Sequence, residues 1–335
     1  MTSPSDVRVA VVQASPVFLD RDASLDKAVR LIGAAASEGA VLVVLGEAWL
    51  PGYPIHAGAP AKSDLWWELA AQYLDQAVDF SSSTIDALSS AAMEAGIDVV
   101  IGLAERDQTT RGSLYSSLAV IGRDGQVIDR HRKLRPAPFE RAVWADGDAL
   151  GLQVYDRGYA NLTGLISTEH QMVLPTYALA EQGSQIHAAC WSGQMPKPGS
   201  PAAMWHDQQH LLSRAFAVQA GAYVLCAGAT LTRTDVPEKY RGFLVDEFTG
   251  GSAVIDPRGE IVAGPVDGKD LVMADCSLAL IRAAKIAFDC AGHSSRRDQL
   301  SLSNFAQGEH DAALPGGQQD EFDSGNEPAE QSPGG

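Results

Sequence analysis

Apolar positions recur along this chain in two rhythms, one of strand length and one of helical period. Residues 7–13 form a short valine-rich run that predicts a strand. Residues 24–38 place Leu25, Ala28, Val29 and Ile32 on one helical face. Residues 41–45 are an apolar run of buried-strand length, and 46–53 a loop carrying glycine and proline. A helix is predicted over 82–95, with Ser82, Ser83 or Thr84 as its cap. Strands follow at 98–104, 116–121 and 126–131, the last two joined by Arg123-Asp124-Gly125, a hairpin signal.

The second half repeats this grammar. Residues 152–155 and 160–166 are strand-like, 170–182 helical, 186–190 a strand, 202–220 a long helix and 223–229 a strand. Strands at 252–256 and 260–263 bracket the turn Pro257-Arg258-Gly259, before a last strand at 270–274 and a last helix at 278–288. Strands mixed with helices, several joined as hairpins, predict mixed sheets in an α/β protein. The similar halves predict two stacked sheets with helices outside. The stretch 54–81 carries Trp66-Trp67 and Tyr73, which suit a pocket wall or a subunit contact equally.

Composition narrows the picture. Of 335 residues, 45% are hydrophobic and 20% charged, ordinary for a chain with a sizeable core. The net charge of −17 argues against nucleic acid as a partner, because phosphate binding needs a basic surface. Acidic residues from Glu309 to Glu330, with no Lys or Arg among them, predict a disordered tail over 306–335 behind one domain over 1–305. No apolar run reaches the ~18 residues that cross a bilayer. The start of the chain lacks a signal pattern, so the expected location is cytoplasmic. Cys190, Cys226, Cys276 and Cys290 form no CxxC pair and do not cluster with His at ligand spacing. No metal, cofactor or disulfide is expected.

Three local features carry candidate chemistry. In Gly46-Glu47-Ala48-Trp49-Leu50-Pro51-Gly52-Tyr53-Pro54 a carboxylate ends a buried strand, where α/β folds display reactive groups. His131-Arg132-Lys133-Leu134-Arg135-Pro136, followed by Glu140 and Trp144, puts a lysine at a strand end near an aromatic. A cation there suits a developing oxyanion. Leu165-Ile166-Ser167-Thr168-Glu169-His170 runs a strand into a helix through a tight turn, which presents a hydroxyl beside free N–H groups. Each alone is better read as, respectively, a surface acid in a turn, a basic sheet edge and a helix cap.

Together they resemble the nitrilase branch of the carbon–nitrogen hydrolase family, over roughly residues 7–305. The likeness extends through Gln185-Ile186-His187, Gly250-Gly251-Ser252 with Asp256-Pro257, and Gly292-His293 with Ser295-Arg296. It implies a four-layer α-β-β-α sandwich. It also implies roles: Glu47 as general base, Lys133 as the cation at the tetrahedral intermediate, and Glu140 as the glutamate positioning lysine and substrate. Ser167 stands where that family has its nucleophilic cysteine. Tyr53, Trp144, Thr168, His170, Cys190 and Trp191 are the side chains expected to border a small-molecule substrate. Homo-oligomers, dimeric or larger, are implied as well, with interfaces near 172–182 and 226–250.

The departures cluster at the site. The family's elbow commonly reads Cys-Trp-Glu-Asn and here reads Ser167-Thr168-Glu169-His170; Gly46 stands for a proline, and Pro138 for a histidine. A thiol ionises near ~8.5 and is a strong nucleophile, whereas a hydroxyl needs a base. His170, one turn beyond Ser167, and Lys133 with a depressed pKa are candidate bases. Cys190 is an alternative nucleophile. The expected function is attack on a nitrile or amide C–N bond, by hydrolysis or hydration. The alternative is a non-catalytic protein of the same fold that binds ligand or serves as an assembly subunit.

Overall fold

The computed structural model describes residues 6–194, 207–266 and 268–295. The first half contributes β1 (Val7–Val12), α1 (Arg21–Ser37), β2 (Leu42–Val44), α2 (Asp64–Gln76), α3 (Ser83–Ala95), β3 (Asp98–Arg106), β4 (Leu114–Ile121) and β5 (Val127–Arg132). The second contributes β6 (Tyr155–Asp156), β7 (Asn161–Ile166), α4 (Val173–Glu181), β8 (Ile186–Trp191), α5 (Gln208–Ala220) and β9 (Tyr223–Gly228). A short pair, β10 (Thr230–Leu231) and β11 (Phe248–Thr249), precedes β12 (Ala253–Ile255), β13 (Ile261–Ala263), β14 (Leu271–Cys276) and α6 (Leu278–Ala287).

Two six-stranded sheets result, ordered β14-β1-β2-β3-β4-β5 and β13-β12-β9-β8-β7-β6. In each, three central strands run parallel (β1, β2, β3 and β7, β8, β9) and the flanking strands antiparallel. Alternation along each strand feeds two cores at once. Val9, Val11, Leu42, Val44 and Val100 of one sheet meet Leu162, Ile166, Ile186, Ala188 and Leu225 of the other. The opposite faces pack outward, the first sheet under α1 and α3, the second under α4 and α5. This is the four-layer α-β-β-α sandwich.

Local chemistry explains most boundaries. The Asp20 side chain caps α1 by accepting from Ala23 N at 2.9 Å, and Ser63 caps α2. Ser82 holds the N-cap position of α3 without capping it; its hydroxyl donates to Asp79 O. Both hairpin turns form where the sequence signals them, with Gly125 and Gly259 at positive φ.

Two expectations change, and one unassigned stretch acquires a helix. The stretch 54–81 contains α2, whose inner face joins Leu69 to Tyr240, Leu244 and Phe248. Of 152–155 only Tyr155 is in a strand; Leu152 is buried, but its N–H turns back to Ala149 O. The helix over 170–182 is two pieces, a 3-10 turn over Ser167–Gln171 and then α4, parted at Met172. Pro175 enforces the break, since its ring would meet the Gln171 carbonyl of a continuous helix. The long helix is described from Gln208; its expected start at 202, like the 306–335 tail and Arg296, lies outside the described residues.

Candidate active site

The site forms where the parallel strands of both sheets end. Glu47 follows β2 in the first sheet, Lys133 follows β5, and Ser167 follows β7 in the second. The two sheets are tied at this edge by the Glu47 N–H, which donates to Trp191 O at 2.9 Å. Glycines permit the approach. A Cβ on Gly46 would lie 2.5 Å from Trp191 O, and one on Gly102 would lie 2.2 Å from Gly46 O. Gly46, where a proline was the commoner family choice, therefore sits in a contact that admits no side chain.

Lys133 and Glu47 are fully buried, and Lys133 Nζ donates to Glu47 Oε1 and to Glu140 Oε2, each at 2.7 Å. Ser116 Oγ adds a bond to Glu47 Oε1, Ala137 N–H one to Glu140 Oε2, and the Tyr53 hydroxyl one to Glu140 Oε1 at 2.8 Å. Glu47 Oε2 is buried and has no protein partner among the described residues. An unpaired carboxylate oxygen in a dry site is costly unless it serves an incoming proton.

The charges follow from this geometry. Burial pushes the Glu47 carboxyl up to about 7, with Lys133 opposing and Glu140 reinforcing the shift. Burial alone would lower the Lys133 pKa, but the two carboxylates outweigh it and raise it. Lys133 is therefore a permanent ammonium, and the sequence-based option of a deprotonated Lys133 base is not met. Burial likewise holds the Tyr53 phenol well above its usual range.

Ser167 has φ +46°, in the left-handed region that a β-branched or ordinary side chain rarely enters. Strained non-glycine backbone of this kind at a strand-to-helix turn lifts a side chain out of the sheet. Ala48, next to Glu47, is similarly strained at φ +45°. Ser167 and Thr168 line a cavity of about 420 Å³ together with Tyr53, Glu140, Trp191 and the segment from Arg135 to Arg141. The Thr168 hydroxyl is buried without a protein partner among the described residues. Glu47 and Lys133 sit one layer in, joined to the wall through Glu140.

Trp144, His170 and Cys190 lie off the cavity wall. Trp144 packs edge-on against Tyr53, its ring 5.7 Å from Lys133 Nζ. Cys190 belongs to the core between the sheets, where burial raises its thiol pKa well above the ordinary value. A thiol in that setting is inert. His170 turns away from the Ser167 hydroxyl: its Nδ1 contacts Ser167 O at 2.8 Å and its Nε2 contacts His187 Nε2 at 3.0 Å. A carbonyl only accepts, so His170 carries its proton on Nδ1. His187 therefore donates from Nε2 and accepts at Nδ1 from Thr163 Oγ1. Burial lowers the His170 pKa to about 4, and the ring stacks on Trp191. It braces the turn from behind.

Sequence reasoning passed over two buried groups in this region, Glu169 and His131. The Glu169 carboxylate accepts from Ile166 N–H, Leu134 N–H and His131 Nε2. Glu169 was visible only as a residue of the elbow, because Leu134 and His131, two of its three partners, lie 35 and 38 positions away along the chain.

Known proteins share this arrangement of elements. The family described as carbon-nitrogen hydrolase matches residues 8–286. The chain belongs to the carbon–nitrogen hydrolase family. This carbon–nitrogen hydrolase is 43% identical over 295 residues to Nitrilase 2 of an unknown prokaryotic organism, covering 88% of this chain and 90% of that protein. It is 35% identical to the aliphatic nitrilase of Rhodococcus rhodochrous, over 90% of this chain and 82% of the relative. Among solved structures, a Saccharomyces cerevisiae member of branch 10 of the nitrilase superfamily superposes with a TM-score of 0.68 at 23% identity, covering 87% of this chain and 97% of that one. That likeness concerns the fold. Among the described residues no helix is long and apolar enough to cross a membrane.

Proposed function

We propose that this carbon–nitrogen hydrolase is nitrilase-like and acts on a nitrile or amide through Glu47, Lys133, Glu140 and Ser167. The observation that carries the reading is a Glu47 Oε2 with no partner among the described residues, on a carboxyl pushed up to about 7, in a cluster whose Glu140 shares the cavity wall with the strained Ser167 turn. The names of the relatives support it: Nitrilase 2 and an aliphatic nitrilase are joined by a Nicotiana tabacum protein called a bifunctional nitrilase/nitrile hydratase, 33% identical to this chain.

On a nitrile, the Ser167 Oγ–H proton passes to Glu47 as Oγ adds to the nitrile carbon. The C–N triple bond becomes a double bond, and the nitrogen takes the proton back from Glu47, giving an imidate ester. Lys133 offsets the charge that develops on nitrogen during addition. Glu47 then activates water, which adds to the imidate carbon. Expulsion of ammonia leaves an ester that a second water cleaves to the acid; expulsion of the serine hydroxyl gives the amide instead. The elevated Glu47 pKa compensates in part for serine, since a stronger base is what a hydroxyl needs and a thiol does not.

Ammonia and amide release across a panel of nitriles and amides tests this, together with Glu47→Gln and Ser167→Ala. Both variants are expected to lose at least about a thousandfold in kcat. Loss in Glu47→Gln alone would transfer the role to a water activated directly by Glu47. A parent protein inert across the panel would sink the reading.

We also propose a homo-oligomer. Helix α4 is apolar on both sides, burying Leu179 while leaving Val173 and Leu174 exposed, and Leu211 and Val218 of α5 are exposed in the same layer. Helices apolar all round are covered in the working protein.

A further inference from the structure

We propose that Glu169 is a positioning residue, holding the Lys133 strand end and the Ser167 turn at a fixed separation across the two sheets. The proposal rests on Lys133 and Ser167 acting on one substrate, as above.

Its basis is where the two carboxylate oxygens go. Oε1 accepts the Leu134 N–H at 2.8 Å, one residue beyond Lys133. Oε2 accepts the Ile166 N–H at 2.8 Å, one residue before Ser167. His131 Nε2 contacts both oxygens, at 3.1 and 2.9 Å, from two residues before Lys133. Leu134 and His131 belong to the first sheet's edge, and Ile166 ends β7 of the second. One side chain thus gauges the distance between the cation and the nucleophile.

The burial of this group argues against a role in stability alone. Glu169 is 0% and His131 1% exposed. Taking a carboxylate and an imidazole out of water offsets much of what their attraction returns, so such pairs stabilise little relative to an apolar filling. What they do supply is registry, because four short contacts to one rigid carboxylate tolerate little displacement. His131 raises no objection as a donor: burial opposes its charge, but the Glu169 carboxylate outweighs this and raises its pKa. The lowered pKa of Glu169, which burial opposes and His131 produces, keeps the acceptor ionised.

Glu169→Gln is the direct test. The amide keeps the shape but turns one acceptor oxygen into a donor that faces an N–H. We expect kcat to fall about a hundredfold with KM within about threefold, the penalty of an ångström-scale misplacement. The second readout needs no turnover. In a Ser167→Cys background, alkylation of the introduced thiol by iodoacetamide is followed against pH by peptide mass spectrometry. Adding Glu169→Gln is expected to move the midpoint upward by at least about half a unit as the Lys133 ammonium shifts away. The partly buried native Cys290 is the internal reference and stays put. An unmoved thiol profile overturns the proposal, whether or not kcat falls, because a merely structural loss would lower stability and leave the profile alone. If the parent turns over no substrate, the thiol arm decides by itself. Should Glu169→Gln not fold, His131→Asn removes one donor and is expected to give the same upward shift with about a tenfold loss of kcat.

Discussion

In the proposed reaction Glu47 is the residue on which the chemistry turns. Its Oε1 is committed to Lys133 and Ser116, and its Oε2 has no protein partner among the described residues. A base works when deprotonated, and burial holds this carboxyl up to about 7. Turnover is therefore lost on the acid side: below pH 7, kcat/KM is expected to fall about tenfold per unit, levelling above it. A profile flat from pH 5 to 8 would remove Glu47 from the role. Neither neighbour supplies a substitute. Lys133 is kept protonated by two carboxylates, and the His170 ring is engaged by Ser167 O and His187 with its pKa lowered to about 4.

Between residues and the whole lie the strand ends and turns that aim them. The 3-10 turn over Ser167–Gln171 is a separate unit, parted from α4 at Met172 and held from inside by Glu169 and from outside by His170. The loop after β2 depends instead on missing side chains. Gly46→Ala would bring a Cβ to 2.5 Å from Trp191 O and push apart the strand ends that the Glu47 N–H joins. Such overpacking costs about 1–3 kcal/mol, and the displaced Glu47 should lose at least about tenfold in kcat. Urea unfolding and steady-state kinetics on one preparation check both. A stable, fully active Gly46→Ala protein would show that the sheet ends can part without harm.

At the scale of the whole molecule, the sandwich places its reactive groups on one edge and leaves an apolar helical layer over the second sheet. Val173 is 76% and Leu211 61% exposed there. Sedimentation should show a dimer or larger species for the parent. It should show a smaller species, with the far-UV circular dichroism unchanged, for the Val173→Asp/Leu211→Asp double variant. A parent that sediments as a monomer would refute the proposed oligomer. The four-layer architecture was legible in advance because strand and helix periods survive in the sequence, as do the hairpin glycines Gly125 and Gly259. The helix α2 was not, since its Trp67 is 61% exposed and blurs the apolar face.

The sequence alone indicated most of the elements and their layering, because apolar period and turn chemistry are local properties, and the family resemblance singled out Glu47, Lys133, Glu140 and Ser167 as candidates. It was silent on charge state. The ammonium of Lys133, the raised Glu47 carboxyl and the neutral His170 arise from burial among groups dozens of residues apart, and desolvation is decided only once the chain has folded. It was equally silent on direction: His170 and Ser167 share a turn, yet one packs against Trp191, His187 and Phe216 and the other lines the cavity. The tie made by Glu169 between the two sheets belongs to the tertiary structure for the same reason. Leu134 and His131 become its neighbours only when β5 and β7 stack.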